Sequence, residues 1–65
     1  MMSQKQQNEA LQIAQFVLEN GRVEANAGKI NPASMESEVE FEAAECGHDS
    51  NTAAEMGKYA ASNSQ

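Results

Sequence analysis

Only nine of the 65 residues are Leu, Ile, Val or Phe, and Trp is absent. The nine are Leu11, Ile13, Phe16, Val17, Leu18, Val23, Ile30, Val39 and Phe41. A charged chain this poor in large apolar residues falls below the roughly 20% level at which chains drift towards disorder. It is also short, and short chains bury a smaller share of their surface than long ones. Alanine must therefore act as core, and eleven alanines are spread between Ala10 and Ala61. Methionine and backbone burial must supply the rest. A second chain or a bound partner would add buried area from outside, so a homodimer is the expected state, with a marginal monomer as the alternative. The length allows one domain, 1–65, with ends expected to fray at about 1–3 and 62–65.

Ala, Glu, Gln, Met, Lys, Leu and Arg greatly outnumber β-branched and aromatic residues, which points to an all-α fold of three short helices. Ser3 is placed to cap the first, and no breaker interrupts Gln4 to Glu19. Leu11, Ala14, Val17 and Leu18 recur at helical spacing, with Ile13 and Phe16 widening the apolar face. Asn20-Gly21 offers a left-handed stop. The same dipeptide is a strong hairpin signal between Phe16–Glu19 and Arg22–Ala25, which makes an α+β fold with a hairpin at Asn20-Gly21 the alternative.

Arg22 to Asn31 reads as a connector with at most another helical turn, punctuated by Gly28 and the Asn31-Pro32 step. Asn31 then reads as an N-cap with proline in the first helical position. From Pro32 to Cys46, Met35, Val39, Ala43 and Cys46 fall on one helical face. The same stretch also alternates, with Met35, Ser37, Val39, Phe41 and Ala43 set against Glu36, Glu38, Glu40 and Glu42. Periodicity alone does not separate helix from strand here. The preference of Glu and Ala for helix, with Gly47 as a stop, favours helix over a strand at Met35 to Ala43. The third helix opens with Thr52 and Glu55 spaced as a capping box and runs to about Ala61. Its Ala53, Gly57 and Ala61 lie four apart, a spacing that lets two helix backbones approach closely.

Charge is unevenly distributed. Through Lys29 the chain is neutral, with Lys5, Arg22 and Lys29 against Glu9, Glu19 and Glu24. After it come Glu36, Glu38, Glu40, Glu42, Glu45, Asp49 and Glu55 against Lys58 alone, so the whole net charge of −6 lies in the second half. On a helix, Glu38, Glu42 and Glu45 share one stripe and Glu36 and Glu40 a second, and no Lys or Arg within the run neutralises either. The acidic run, with Asp49, is the expected docking surface for a protein partner with a basic surface, against the plainer reading of a solvated helix face. The balance argues against direct contact with nucleic acid, which needs cations to displace counterions from phosphate, and against anionic membranes.

Cys46-Gly47-His48-Asp49 groups the only cysteine and the only histidine beside Glu45. The spacing matches no standard zinc pattern, and one chain supplies too few soft ligands for a closed tetrahedral site. A site shared across a dimer axis is the remaining arrangement, so neither metal nor cofactor is assigned. Cys46 with His48 makes a poor nucleophile–base pair, because nothing orients it and little chain is left to build a pocket. No phosphate-binding glycine loop is present among Gly21, Gly28, Gly47 and Gly57. Met35 and Met56 read as core filler that could double as adaptable contact surface.

The N-terminus lacks the apolar stretch of a signal peptide, the longest run of large apolar residues is Phe16-Val17-Leu18, and one cysteine makes no internal disulfide. These features point to the cytoplasm. The expected function is therefore non-catalytic: a binding or regulatory protein that docks its acidic half on a partner. In size and charge it resembles the small inhibitors that phages and mobile elements direct against host factors, a likeness carried by no motif; in that setting it would act in the host cytoplasm. The alternative is a structural or assembly subunit acting by helix–helix association. Its contact residues would be Leu11, Ala14, Val17 and Leu18 of the first helix and Ala53, Gly57 and Ala61 of the third.

Overall fold

The computed structural model of the chain describes residues 2–63. Residues 1, 64 and 65, within the end segments expected to fray, lie outside them. Three helices form: α1 (Gln4–Glu19), α2 (Pro32–Glu45) and α3 (Ser50–Ser62). Between α1 and α2 lies a small antiparallel hairpin of β1 (Ala25–Asn26) and β2 (Lys29–Ile30), paired Ala25 with Ile30 and Asn26 with Lys29. The fold is thus a compact α+β domain and not purely all-α.

Each helix end has a local cause. Ser3 caps α1 in a full capping box, its Oγ accepting from Gln6 N while Gln6 Oε1 accepts from Ser3 N. Asn31 caps α2, its side chain accepting from the amides of Ala33 and Ser34, with Pro32 in the first turn. The cap of α3 is Asp49, not Thr52, which sits one turn inside and donates its hydroxyl to Asp49 Oδ1 at 2.6 Å. Helices α1 and α2 both close in a Schellman arrangement. Gly21 N donates to Leu18 O and Arg22 N to Val17 O, and Gly47 and His48 repeat this on Ala44 O and Ala43 O. Gly21 (φ 66°) and Gly47 (φ 101°) take the left-handed conformation this requires.

This geometry explains why the hairpin is not at Asn20-Gly21. The helical repeat of α1 runs into that dipeptide and uses it as a stop. Asn20 has φ −92°, outside the left-handed region a two-residue hairpin needs, and its side-chain amide donates to Phe16 O at 2.8 Å. The turn forms instead in the expected connector, where Ala27 (φ 53°) and Gly28 (φ 80°) are both left-handed. Asn31 N donating to Glu24 O extends the ladder, and Glu24 N donating to Ser34 Oγ ties it to the first turn of α2. A left-handed alanine is unfavourable by about 1–2 kcal/mol relative to its right-handed form. Ala27→Asn, which tolerates this conformation, is expected to stabilise the turn by about 1 kcal/mol. Slower hydrogen exchange at the hairpin amides would register the gain; unchanged exchange would place the turn outside the cooperative unit.

The segment from Met35 to Ala43 is helical, not a strand. Its core side holds Met35, Val39 and Ala43, which pack with Ala53, Met56, Ala60 and Ala61 of α3 and with Ala10, Ile13, Ala14 and Val17 of α1. Helices α2 and α3 form the most intimate pair, with α1 laid against both. Gly57 sets their approach: a Cβ there would stand 2.6 Å from the backbone oxygen of Glu36. The close crossing suggested by Ala53, Gly57 and Ala61 therefore exists inside the monomer.

Candidate functional site

Of the nine large apolar residues, only Ile13, Val17 and Val39 belong to the buried core; Val23 and Ile30 are partly buried against it. Four stand exposed: Leu11 at 39%, Phe16 at 47%, Leu18 at 40% and Phe41 at 58%. The largest fully buried side chains are headed by two methionines, Met35 and Met56.

Helix α1 shows why. It carries two overlapping stripes, Ala10-Ile13-Ala14-Val17 and Leu11-Ala14-Leu18. The first is buried, because alanine lets α1 sit close against α2 and α3. At about 100° per residue, Leu11 and Leu18 are then turned about 90–110° away from the core line. Phe16 is displaced to the opposite flank. Of the contact residues expected on α1, Ala14 and Val17 are thus core, while Leu11 and Leu18 lie at the surface. On α3, Ala53, Gly57 and Ala61 are all buried.

The acidic run is less uniform than the sequence suggests. Glu36, Glu38, Glu40 and Glu42 are half-buried, and Glu45 and Asp49 exposed. Arg22, brought over by the Schellman turn after α1, engages two of the three residues of one acidic stripe, Glu38 and Glu42, and leaves Glu45 exposed. Its Nε donates to Glu38 Oε1 at 2.9 Å and its Nη1 to Glu42 Oε1 at 2.5 Å. These bonds, Glu42 foremost, raise the guanidinium pKa further above its ordinary value. The guanidinium also lies 5.8 Å from the centroid of the Phe41 ring, within cation–π range. Two carboxylates of the expected docking face are therefore engaged within the monomer by a residue far away in sequence, and the cluster's charge falls from −2 to −1.

Asp49 has a local role. The Thr52 hydroxyl holds its carboxyl below the ordinary aspartate range, with backbone amides adding to the effect. A carboxyl whose pKa is depressed by folding stabilises the fold above its unfolded value, and that contribution is lost as pH falls through the folded value. Acidification below the ordinary aspartate range is thus expected to loosen α3 first. Asp49→Asn, which still accepts from the helix amides, should flatten this part of the pH profile of thermal stability; an identical profile would remove Asp49 from the explanation.

Cys46 ends α2 as an exposed free thiol. His48 is turned to α1, with Nε2 2.9 Å from Glu9 Oε2. Among the described residues, no three His, Cys, Asp or Glu side chains converge as a metal centre requires. A shallow, open groove on the outer side of α1 is lined by Lys5, Asn8, Glu9 and Gln12; it offers no desolvated cleft in which acid–base groups could be tuned. Among the described residues, no helix is long and apolar enough to cross a membrane. Against known proteins, the chain matches no family model, no curated protein and no solved structure.

Proposed function

We propose that this chain is a non-catalytic assembly subunit that works by helix–helix association, as a homodimer. The observation that carries the reading is the placement of four of its nine large apolar side chains at the surface while methionine and alanine make up eight of the eleven buried core residues. A small domain short of apolar material gains from burying part of that exposed apolar surface against another chain.

Docking of the acidic face on a basic partner is the weaker reading. Arg22 engages Glu38 and Glu42, which leaves Glu36, Glu40 and Glu45 as its remaining anchors on α2.

Salt separates the two. Copies that each carry a charge of −6 repel one another, and screening shortens that repulsion to about 10 Å at 0.1 M salt. Self-association by an apolar surface should therefore strengthen as sodium chloride is added, whereas capture of a basic partner should weaken. Sedimentation equilibrium over a range of concentration and salt is expected to show association that rises with both. A chain that stays monomeric at every concentration and salt would end the proposal.

A further inference from the structure

The surface that receives a second copy can be named, on the understanding that the inference rests on the assembly reading above. The geometry points to a seam along α1, centred on Leu11 and Leu18 and flanked by Gln4, Gln7, Asn8 and Gln15, that pairs with the same seam of another copy of this chain.

Three observations meet there. Leu11 and Leu18 are seven residues apart on a helix that runs unbroken over 16 residues, and both are about two-fifths exposed. Seven residues are close to two helical turns, so the two side chains lie in line. Gln4 and Gln7 precede them at the three- and four-residue steps of the same line, and Asn8 and Gln15 border it.

The second observation is charge. The three ionised residues of α1 are Lys5, Glu9 and Glu19. Lys5 and Glu9 sit well over 90° round the helix from the Leu11–Leu18 line, and Glu19 stands about 90° away at its border, where its Oε2 accepts from Gln15 Nε2 at 3.3 Å. The outer side of α2 has the opposite character: Phe41 is the most exposed large apolar residue, but Glu38 and Glu42 lie beside it with Arg22 over its ring. A second copy repeats every charge of the first. An acidic face would meet itself at a cost, while the side of α1 with only Glu19 at its border would meet itself at a smaller one.

The third is the chemistry of the flanking residues. Glutamine and asparagine amides each carry a donor and an acceptor. Gln4 Nε2 already donates to Asn8 Oδ1 at 3.0 Å along the helix, which leaves further donors and acceptors on both side chains. Groups of this kind can bond to their own kind, which is what a two-fold interface between identical surfaces demands. The helix is about 24 Å long, so the seam belongs to the small end of specific interfaces, and the dimer is expected to dissociate in the micromolar range.

The test compares oligomeric state across variants by sedimentation equilibrium, with circular dichroism reporting the fold. Leu11→Glu with Leu18→Glu, at exposed positions, should raise the dimer dissociation constant at least about a hundredfold while helix content is retained. Gln7→Glu keeps every apolar contact and puts a carboxylate near the N-terminus of α1, where the helix tolerates it, but places like charges across the seam, and should also weaken the dimer; it serves if the leucine variant unfolds. Phe41→Glu and Phe16→Glu, outside the seam, should leave the dissociation constant within about threefold. A wild-type dimer that survives the seam variants, or is lost in Phe41→Glu alone, would overturn the α1 seam and leave assembly standing. A wild-type chain that never associates would overturn both.

Discussion

Replacing Met35 by alanine is expected to cost about 2–5 kcal/mol and to abolish or nearly abolish cooperative folding. The side chain is fully buried, so its loss removes both the transfer energy of the deleted atoms and the contacts of the walls around the void. A chain of this length has a total stability on the order of 3–10 kcal/mol, so one such cavity is a large part of the whole. Few other side chains can relax inwards: apart from Met56 and the β-branched Val17, Val39 and Ile13, the core is alanine. Met35→Leu keeps most of the volume and should cost less than about 1.5 kcal/mol. Thermal and urea melts followed by far-ultraviolet circular dichroism would measure both. An alanine variant that melts cooperatively within a few degrees of the wild type would show that Met35 does not hold α2 to its neighbours.

A single methyl group at Gly57 should act nearly as strongly, in the opposite sense of volume. In an exposed helix, exchanging glycine for alanine gains about 1 kcal/mol. Here the added Cβ would lie 2.6 Å from Glu36 O, and the obstacle is backbone, with no flexible side-chain tip to swing away. Forcing α2 and α3 apart falls at the upper end of overpacking penalties, about 3 kcal/mol. The net loss is then about 2 kcal/mol, which lowers Tm by roughly 8–16 °C in a domain of this size. Lys58→Ala, at the exposed neighbouring position, should stay within about 0.5 kcal/mol and controls for changes in helix propensity. If Gly57→Ala melts at or above the wild-type temperature, the close crossing of α2 and α3 is not what Gly57 provides.

The two variants probe the same economy. With few large apolar side chains available, this fold gains contact by bringing backbones close, through Ala10 and Ala14 on α1 and through Ala53, Gly57 and Ala61 on α3. Leu11 and Leu18 are surplus to that arrangement because their stripe diverges from the alanine stripe of the same helix. The surface proposed for assembly is in this sense a by-product of how the core is built.

The candidate site was only partly readable in advance. Leu11 and Leu18 stand out in the sequence as an apolar pair, yet their spacing also suits a core, and Ala14 belongs to both stripes. The acidic run is plain in the sequence, but its pairing with Arg22 is not: Arg22 is 16 residues from Glu38 and 20 from Glu42. Only the turn at Gly21 brings it across. The bond between His48 and Glu9 spans 39 residues, and no local pattern announces it.

What the sequence determined by itself was local. Propensity over Gln4–Glu19, the caps at Ser3 and Asn31, and the stops at Gly21 and Gly47 each depend on groups within about four residues of one another. The helices therefore follow from the chain alone, as does the scarcity of apolar side chains that makes them pack closely. The tertiary structure decided three things. It set which of two overlapping stripes on α1 turned inwards, it placed the hairpin at Ala27-Gly28 once α1 had used Asn20-Gly21 as its stop, and it paired Glu38 and Glu42 of the acidic run with Arg22. Each choice depends on which distant surfaces meet, and burial is settled by how near two backbones can come, which for this chain is fixed where Gly57 faces Glu36.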